Sequence, residues 1–337
     1  MHRLVLAGVV LCFGVVVLGA YVRLTAAGLG CPDWPGCYGH LTPSAASADA
    51  AQAVFPGRPL DAGKAWREMI HRYAAGTLTL VIIAITALAI TARAKRLVSV
   101  RLAVALFATV LVQALLGMLT VTWQLKPLVV TLHLLFGLTT LGILWWLKLS
   151  LPVTSWGATS LGSAAHSLRG GAFSIESAHR LAILGLAALI VQIALGGWTS
   201  SNYAAIACPD FPTCQGVWMP HADFRSAFVL WHGLNIDYEG GVLTNPARIA
   251  IHLTHRLGAL LAAAALTAAA LYCLRRRGLS GVRLRAWAVL GALTLQLAIG
   301  IAMVLRGFPL WLATAHTGGA ALLLLATLAL VRSASAR

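Results

Sequence analysis

The sequence is poor in charge, and in negative charge above all. Only 10% of its 337 residues are charged, with nine Asp and Glu against 25 Lys and Arg, whereas 59% are hydrophobic. A soluble domain has about one quarter charged residues and is rarely more than half apolar. The composition therefore excludes a soluble enzyme, and the high hydrophobicity also excludes an intrinsically disordered chain.

Cysteine is scarce too, with six in the whole chain, which excludes a disulfide-dense secreted module. Four of them form two C-x5-C pairs in polar stretches, Cys31 with Cys37 and Cys208 with Cys214. Loops that face an oxidising compartment favour disulfides, whereas structural zinc sites prefer shorter spacings. We predict two disulfides, with zinc as the alternative. Whether they are simple loop staples or redox-active is open.

Long apolar runs fill the sequence instead. A helix needs about 20 mainly apolar residues to cross a membrane. Eight segments meet this requirement: 4–24, 68–92, 102–123, 128–149, 179–200, 249–274, 286–305 and 310–331. The predicted fold class is therefore an all-α integral membrane protein with eight transmembrane helices.

The net charge of +16 does not indicate a nucleic-acid partner. Most basic residues lie in short segments between apolar spans, where they orient a chain in the bilayer. Their distribution predicts that both termini are cytoplasmic. The two large polar loops, 25–67 and 201–248, are then predicted to face outward.

Several features occur twice at a nearly constant separation along the chain. The C-x5-C pair that begins at Cys31 returns at Cys208, the His-Arg dipeptide at His71 returns at His255, and His133 returns as His316. An even number of spans in each unit gives a parallel repeat with a pseudo-two-fold axis along the membrane normal. We predict a four-helix bundle over 1–150, a cytoplasmic linker over 151–178 and a second four-helix bundle over 179–337.

Four histidines lie at one depth in the predicted spans. His71, His133, His255 and His316 are all on even-numbered spans, within the first turns from the outer side. Ionisable groups inside spans are functional candidates. Two imidazoles on facing helices of a four-helix bundle suit axial ligation of a haem iron. Zinc or copper is the alternative by ligand type, but the glycines beside the histidines favour a flat macrocycle.

The residue one turn before the first histidine differs between the halves. Three residues before His71 stands Glu68, and three before His255 stands His252, each on the same helix face as the histidine. A carboxylate can move protons, whereas a second histidine is more readily structural. We predict that the first half carries the chemistry, with Glu68 as catalytic residue. The second half is predicted to hold a permanent redox haem.

Arginine directly follows the first histidine in each half, at Arg72 and Arg256. Both are candidates for pairing with haem propionates or for contacting the iron ligands without binding the iron. His252 is a candidate for the same roles. The alternative is an interface residue whose charged end reaches water. In the second outer loop, residues 231–241 are predicted to cover the outer face of the second bundle.

The motifs, in this order and topology, resemble those of the haem A synthase family. They are Glu68-Met-Ile-His71-Arg72, His133, Cys208-Pro-Asp-Phe-Pro-Thr-Cys214, His252-Leu-Thr-His255-Arg256 and His316. The resemblance runs from residue 4 to residue 331. It implies oxidation of the C8 methyl group of haem O to a formyl group through a hydroxymethyl intermediate. It also implies that His71 and His133 ligate the iron of the substrate haem, and that His255 and His316 ligate that of a b-type haem, which relays electrons.

The resemblance further implies the membrane in which the protein lies and the partners with which it works. Paired cysteines in both outer loops resemble the bacterial branch of the family, which implies the inner membrane, with the haem sites towards its outer face. Haem O synthase would supply the substrate, and terminal oxidase assembly would use the product. The lipid bilayer is the other partner, and a homo-oligomer is left open.

Two questions, the function and the oxidation scheme, stay open on the residues alone. A bis-histidine cytochrome that passes electrons from quinol, and a non-enzymatic haem carrier, are alternative functions. If histidines fill both axial positions of the substrate haem, either one leaves during turnover or the methyl group is oxidised from the porphyrin edge. The sequence does not choose between these two schemes.

Overall fold

A computed structural model describes residues 1–91, 99–151, 171–275 and 280–335, with backbone alone for 171–175 and 280–281. The regular secondary structure of these ranges is helical, as predicted. The α-helices are α1 (His2–Leu24), α2 (Ala48–Val54), α3 (Ala62–Ile90), α4 (Val100–Thr122), α5 (Pro127–Ser150), α6 (Gly171–Ser201), α7 (Phe224–Ala227), α8 (Asn245–Arg275), α9 (Ser280–Leu305) and α10 (Leu310–Ala334).

Eight helices in the described ranges are long and apolar enough to span a membrane, all except the short α2 and α7. This confirms the predicted multi-pass membrane protein. Helix α3 begins earlier than predicted because Asp61 caps it: its side chain accepts a hydrogen bond from the backbone N–H of Lys64 at 3.0 Å. Glu68 therefore lies inside the helix rather than at its N-terminus.

The segments expected on the inner side are described only in part. Helix α6 begins at Gly171, inside the predicted linker, and residues 152–170 lie outside the described ranges. Several basic residues used to predict the orientation, such as Arg93 and Arg276, also lie outside them. The orientation of the chain across the membrane stays a prediction.

The spanning helices contact each other in two rings of four. In the first ring, α1 and α4 each pack on both α3 and α5; in the second, α6 and α9 each pack on both α8 and α10. Between the rings, α1 contacts α10, and α5 contacts α6 and α10. The order of contacts along the chain is the same in both rings, and a two-fold axis between them stays a prediction.

Part of the second outer loop crosses to the first half. Residues 231–239 approach it through an ion pair between Asp237 and Arg58 at 2.8 Å and through Lys126, whose Nζ donates to the carbonyl oxygen of Gly233 at 2.7 Å. The prediction that residues 231–241 cover the second bundle is therefore wrong for 231–239, whereas Gly240 and Gly241 accept hydrogen bonds from Arg248 of the second half. Opposite charges on the two large loops bring the segment over the first half instead.

Candidate haem-binding sites

The four histidines form two pairs, one in each ring of helices. His71 on α3 is close enough to His133 on α5 for the two side chains to interact electrostatically, and the same is true of His255 on α8 and His316 on α10. Each pair joins two opposite helices of its ring. The imidazoles of each pair thus lie near each other inside one ring of helices; that they ligate a haem iron stays a prediction.

Each of these histidines lies against a glycine on a neighbouring helix. A Cβ atom built on that glycine would lie only 2.9–3.2 Å from Cε1 of the imidazole. The contacts are Gly19 with His71, Gly117 with His133, Gly196 with His255 and Gly300 with His316. A side chain at any of these positions would force the imidazole to shift, so glycine lets each ring pack closely against its neighbouring helix.

Three of the histidines also contact a glutamine. The contacts join the amide nitrogen to a ring nitrogen: Gln113 with His133 at 3.4 Å, Gln192 with His255 at 3.0 Å and Gln296 with His316 at 3.3 Å. Within the described chain His71 has no such contact, and its Nδ1 atom is buried without a hydrogen bond. The first pair is therefore the less constrained of the two.

The donor set of each pair fits a haem. Imidazole ligates haem iron and needs no charge in an apolar site, and two imidazoles on opposite helices can bind the two faces of one macrocycle. The glycines beside the rings take up no side-chain volume. In the first pair, the Nδ1 atoms of both His71 and His133 are buried without a hydrogen-bond partner.

Glu68 connects the first histidine pair to the first outer loop. Its side chain is buried, with the residue 4% exposed, and Oε2 accepts a hydrogen bond from the backbone N–H of Cys31 at 2.8 Å. Oε1 pairs with the guanidinium of Arg72, which also donates to the carbonyl oxygen of Asp33 at 2.9 Å. Both oxygens of this carboxylate are thus held one helical turn from His71.

The corresponding place in the second half is occupied by His252. This histidine is also 4% exposed, and its Nδ1 lies 3.2 Å from the carbonyl oxygen of Ala204. Arg256 donates to the carbonyl oxygens of Asp210 at 2.6 Å and Thr213 at 2.8 Å. The arginine thus binds the outer loop in both halves, and the first half adds a carboxylate. Contact of either arginine with a propionate stays a prediction.

Both predicted disulfides are present, Cys31–Cys37 and Cys208–Cys214. In the part of the chain that the structure describes, no cluster of three or more His, Cys, Asp or Glu is placed to hold a metal ion, which gives the zinc alternative no support. In each disulfide loop, an aspartate side chain accepts hydrogen bonds from backbone N–H groups of the loop. Asp33 accepts the backbone N–H of Tyr38 at 2.6 Å, and Asp210 has the same position in the second loop.

Acid is expected to weaken the second disulfide loop through Asp210. Hydrogen bonds from the Thr213 hydroxyl and from the backbone N–H groups of Gly216 and Gln215 hold the pKa of its carboxyl below the ordinary value. A carboxylate with a lowered pKa stabilises the fold above its ordinary pKa of about 4, and this stabilisation is lost as the pH falls through the lower value.

We therefore expect the Cys208–Cys214 disulfide to become easier to reduce below about pH 4. The measurement is its rate of reduction by a phosphine, relative to the Asp210→Asn variant at the same pH, which cancels the pH dependence of the reagent. The wild-type rate should be the slower one at pH 6 and should approach the variant rate at pH 3. A ratio that does not change with pH would contradict the assignment.

Arg256 is expected to stabilise the second half through its hydrogen bonds to the loop carbonyls. Replacing it with glutamine should lower the free energy of unfolding by about 1.5–3 kcal/mol, the usual range for hydrogen bonds to a charged group. The measurement is denaturant unfolding in detergent. Arg225→Gln is the matched control, because Arg225 is exposed in the same loop. Equal losses in the two variants would show that the contacts contribute nothing specific.

The sequence analysis missed Gly19, Gly196 and Gln192. The signal that finds the glycines is the internal repeat, because the spacing between Cys31 and Cys208 is also the spacing between Gly19 and Gly196. The glycines used above to favour a macrocycle lie on the histidines' own helices, whereas the imidazoles pack against glycines on the neighbouring helices. The repeat marks Gly19 and Gly196 as equivalent positions, and the tertiary contacts show that each packs against a histidine.

Comparison with known proteins adds to this geometry. The family model described as "cytochrome oxidase assembly protein", COX15-CtaA, matches residues 2–328. A heme A synthase from Shewanella oneidensis is 41% identical over 316 residues, which is 92% of this chain and 89% of the relative. A heme A synthase from Bacillus licheniformis is 27% identical over 311 residues, 90% of this chain and 85% of the relative. With a match over almost its whole length, the chain belongs to the COX15-CtaA family of cytochrome oxidase assembly proteins.

Proposed function

We propose that this protein is a haem A synthase, an oxidoreductase that converts the C8 methyl group of haem O into a formyl group through a hydroxymethyl intermediate. Family membership supports the general activity. One observation supports the chemistry: the first half holds a buried carboxylate, Glu68, paired with Arg72 beside His71, where the second half has His252. A protein that only passed electrons between two haems would not need this difference.

The first half, residues 1–150, is the proposed substrate site. His71 and His133 would hold haem O between opposite helices and orient its edge relative to Glu68. With water as the source of the oxygen atom, oxidation of the methyl group to hydroxymethyl, and then of hydroxymethyl to formyl, removes two electrons and releases two protons at each stage. Glu68 is the only acidic residue of α3, and its carboxylate is our candidate for accepting a proton from the reacting group. Arg72 and the Cys31 N–H fix the position of that carboxylate.

The second half, residues 179–337, is the proposed site of a resident haem b. His255 and His316 would hold it, and haem b supplies a one-electron redox centre when bound. The contacts of α5 with α6 and α10 place the two rings side by side, which supports an electron relay from the substrate site. Residues 151–178 connect the two halves in this proposal.

We place the protein in the bacterial inner membrane with both termini in the cytoplasm. Since spanning helices alternate in direction, both disulfide loops lie on the same side of the membrane. The histidine pairs lie nearer to this side than to the other, because each histidine is in the first half of its helix. Disulfides persist in an oxidising compartment, which supports an outward position for these loops and sites. Haem O synthase would supply the substrate, and oxidase assembly would use the product.

The proposal is tested by extracting the haems from cells that make this protein together with haem O synthase and identifying them by mass. We expect hydroxymethyl and formyl haem, both absent from cells that lack this chain. If the protein is folded and red but only haem B and haem O are found, the synthase proposal is wrong. That result would favour an electron-carrying cytochrome.

A further inference from the structure

A segment of the second outer loop crosses from the second half to the first and is held on both. We call residues 231–239 the strap. On its N-terminal side, the carbonyl oxygen of Ala227 accepts a hydrogen bond from Nε1 of Trp198 on α6 at 2.9 Å. On its C-terminal side, Arg248 on α8 donates to the carbonyl oxygen of Gly240 at 3.3 Å. Both ends of the strap are thus fixed to the second half.

The N-terminal part of the strap binds the turn between α4 and α5. Lys126 directly precedes α5, and its Nζ donates to the carbonyl oxygen of Gly233 and lies over the ring of Trp231. Trp231 also packs edge-to-face on Trp123 at the end of α4, with ring centroids 5.8 Å apart. Lys126 stands seven residues, about two helical turns, before His133. The strap is therefore attached to the N-terminal end of the helix that carries His133.

The C-terminal part of the strap binds the residues that lead into α3. Asp237 pairs with Arg58 at 2.8 Å, and Glu239 pairs with Arg58 at 3.2 Å and with Lys64 at 3.7 Å. Lys64 lies in the first turn of α3, seven residues before His71. The strap therefore joins the N-terminal ends of α3 and α5, which are the two helices that carry the first histidine pair.

The cations that hold the strap relate differently to the internal repeat. The spacing between the histidines of α3 and α8 also relates Lys64 to Arg248. The spacing between the histidines of α5 and α10 relates Lys126 to Pro309, whose side chain cannot donate a hydrogen bond. The duplicated cation thus anchors the strap in the second half and binds its charged end in the first. The cation at the helix turn occurs in the first half and not at the equivalent position of the second.

The strap has the features of a segment that can lift. It has no regular secondary structure, and its ion pairs are only partly buried, with 28–49% of the side-chain surface of Arg58, Asp237 and Glu239 exposed. A cavity of about 210 Å³ lies between the strap and the α4–α5 turn. Gly233 and Gly240 have positive φ angles of 104° and 81° and lie near its two ends. Exposed polar contacts over incomplete packing are typical of segments with low local stability.

We propose that the strap is a lid that retains haem in the first half and opens by breaking its ion pairs. This inference rests on the proposed function, in which the substrate haem is oxidised twice. Formyl haem forms only if the hydroxymethyl intermediate stays bound between the two oxidations. By joining the N-terminal ends of α3 and α5, the closed strap keeps the two ligand-bearing helices together around the haem. Its opening then releases the product.

The test is the release of haem O from the purified protein, with apomyoglobin in excess to capture the released haem. Mass analysis of the captured haem distinguishes haem O of the first half from haem b of the second. In Arg58→Glu, which turns the attraction to Asp237 and Glu239 into repulsion, release should be about three- to tenfold faster. Salt should speed up release from the wild type and not from the variant, because it screens attraction in the first and repulsion in the second.

Further variants separate the lid from a general loss of stability. Arg58→Glu with Asp237→Arg exchanges the two charges and should return release toward the wild-type rate. Glu239→Gln keeps the pair of Arg58 with Asp237 and should release haem O at nearly the wild-type rate. If Arg58→Glu fails to fold, Trp231→Ala tests the other end of the strap and should also speed up release. Its matched control is Trp218→Ala, which removes an exposed tryptophan from the same loop.

A second readout comes from cells that also make haem O synthase. There, Arg58→Glu should raise the ratio of hydroxymethyl to formyl haem, because the intermediate leaves before the second oxidation.

Equal release rates in the wild type, Arg58→Glu and Trp231→Ala would overturn the inference. Release from the purified protein needs no turnover, so this failure is distinct from failure of the proposed function. If the variants release haem O as expected but no hydroxymethyl or formyl haem is ever extracted, the lid stands and the synthase proposal falls. If product forms but the release rates do not differ, the lid falls and the synthase proposal stands.

Discussion

Replacing Glu68 with glutamine is expected to lower the yield of hydroxymethyl and formyl haem by a factor of about 10²–10⁴, the usual contribution of a positioned acid or base. Haem binding should persist, because His71 and His133 are untouched. A glutamine can still accept the hydrogen bond from the Cys31 N–H, but it cannot take up a proton or balance the charge of Arg72. The measurement is product per bound haem in extracts.

The matched control is Glu239→Gln, which removes a half-exposed carboxylate from the second outer loop. Its ion pair with Arg58 is only part of the contact between the loops, so product formation should stay near the wild-type level. Glu68→Asp keeps the charge and should retain part of the activity. Normal product from Glu68→Gln would show that the carboxylate is not catalytic, whatever its contacts.

Replacing His255 with alanine is expected to remove the tightly held haem of the second half. The variant loses one of two axial ligands and leaves Gln192 without its partner. Bound haem per chain should fall by about half, since the two histidine pairs are separate sites. Product yield should fall as well, because the proposed relay is interrupted. The measurements are the absorbance spectrum of the purified protein and its haem content.

His179→Ala is the control for this variant. His179 is also a half-buried histidine on a spanning helix, but it lies near the start of α6, far along the helix from Gly196 and the histidine pair. Its replacement should leave both haems in place. A His255→Ala protein with the wild-type spectrum and full haem content would contradict the assignment of the second-half ligand.

The differences between the two halves concentrate around His71. The scaffold is duplicated: glycines beside the imidazoles, an arginine on the loop carbonyls and a disulfide loop all occur twice. Glu68 lies one helical turn before this histidine, where the second half has His252. In the proposed function, this difference distinguishes the substrate site from the site of the resident haem.

The sequence by itself determined the eight spans, the repeat, the two disulfides and the four histidines. These features are local or periodic: apolar runs longer than a bilayer is thick, fixed spacings, and a constant separation between copies. It also identified Glu68 by its place one turn before His71. For the same reason it misplaced the start of α3, because the cap at Asp61 lies outside the apolar pattern.

Only the tertiary structure decided which groups meet. Contacts between helices distant in the chain depend on how side chains pack, and no periodicity in the sequence records them. The structure alone shows that both oxygens of Glu68 are engaged, by Arg72 and by the N–H of Cys31. It alone places residues 231–239 over the first half and Gln192 on His255.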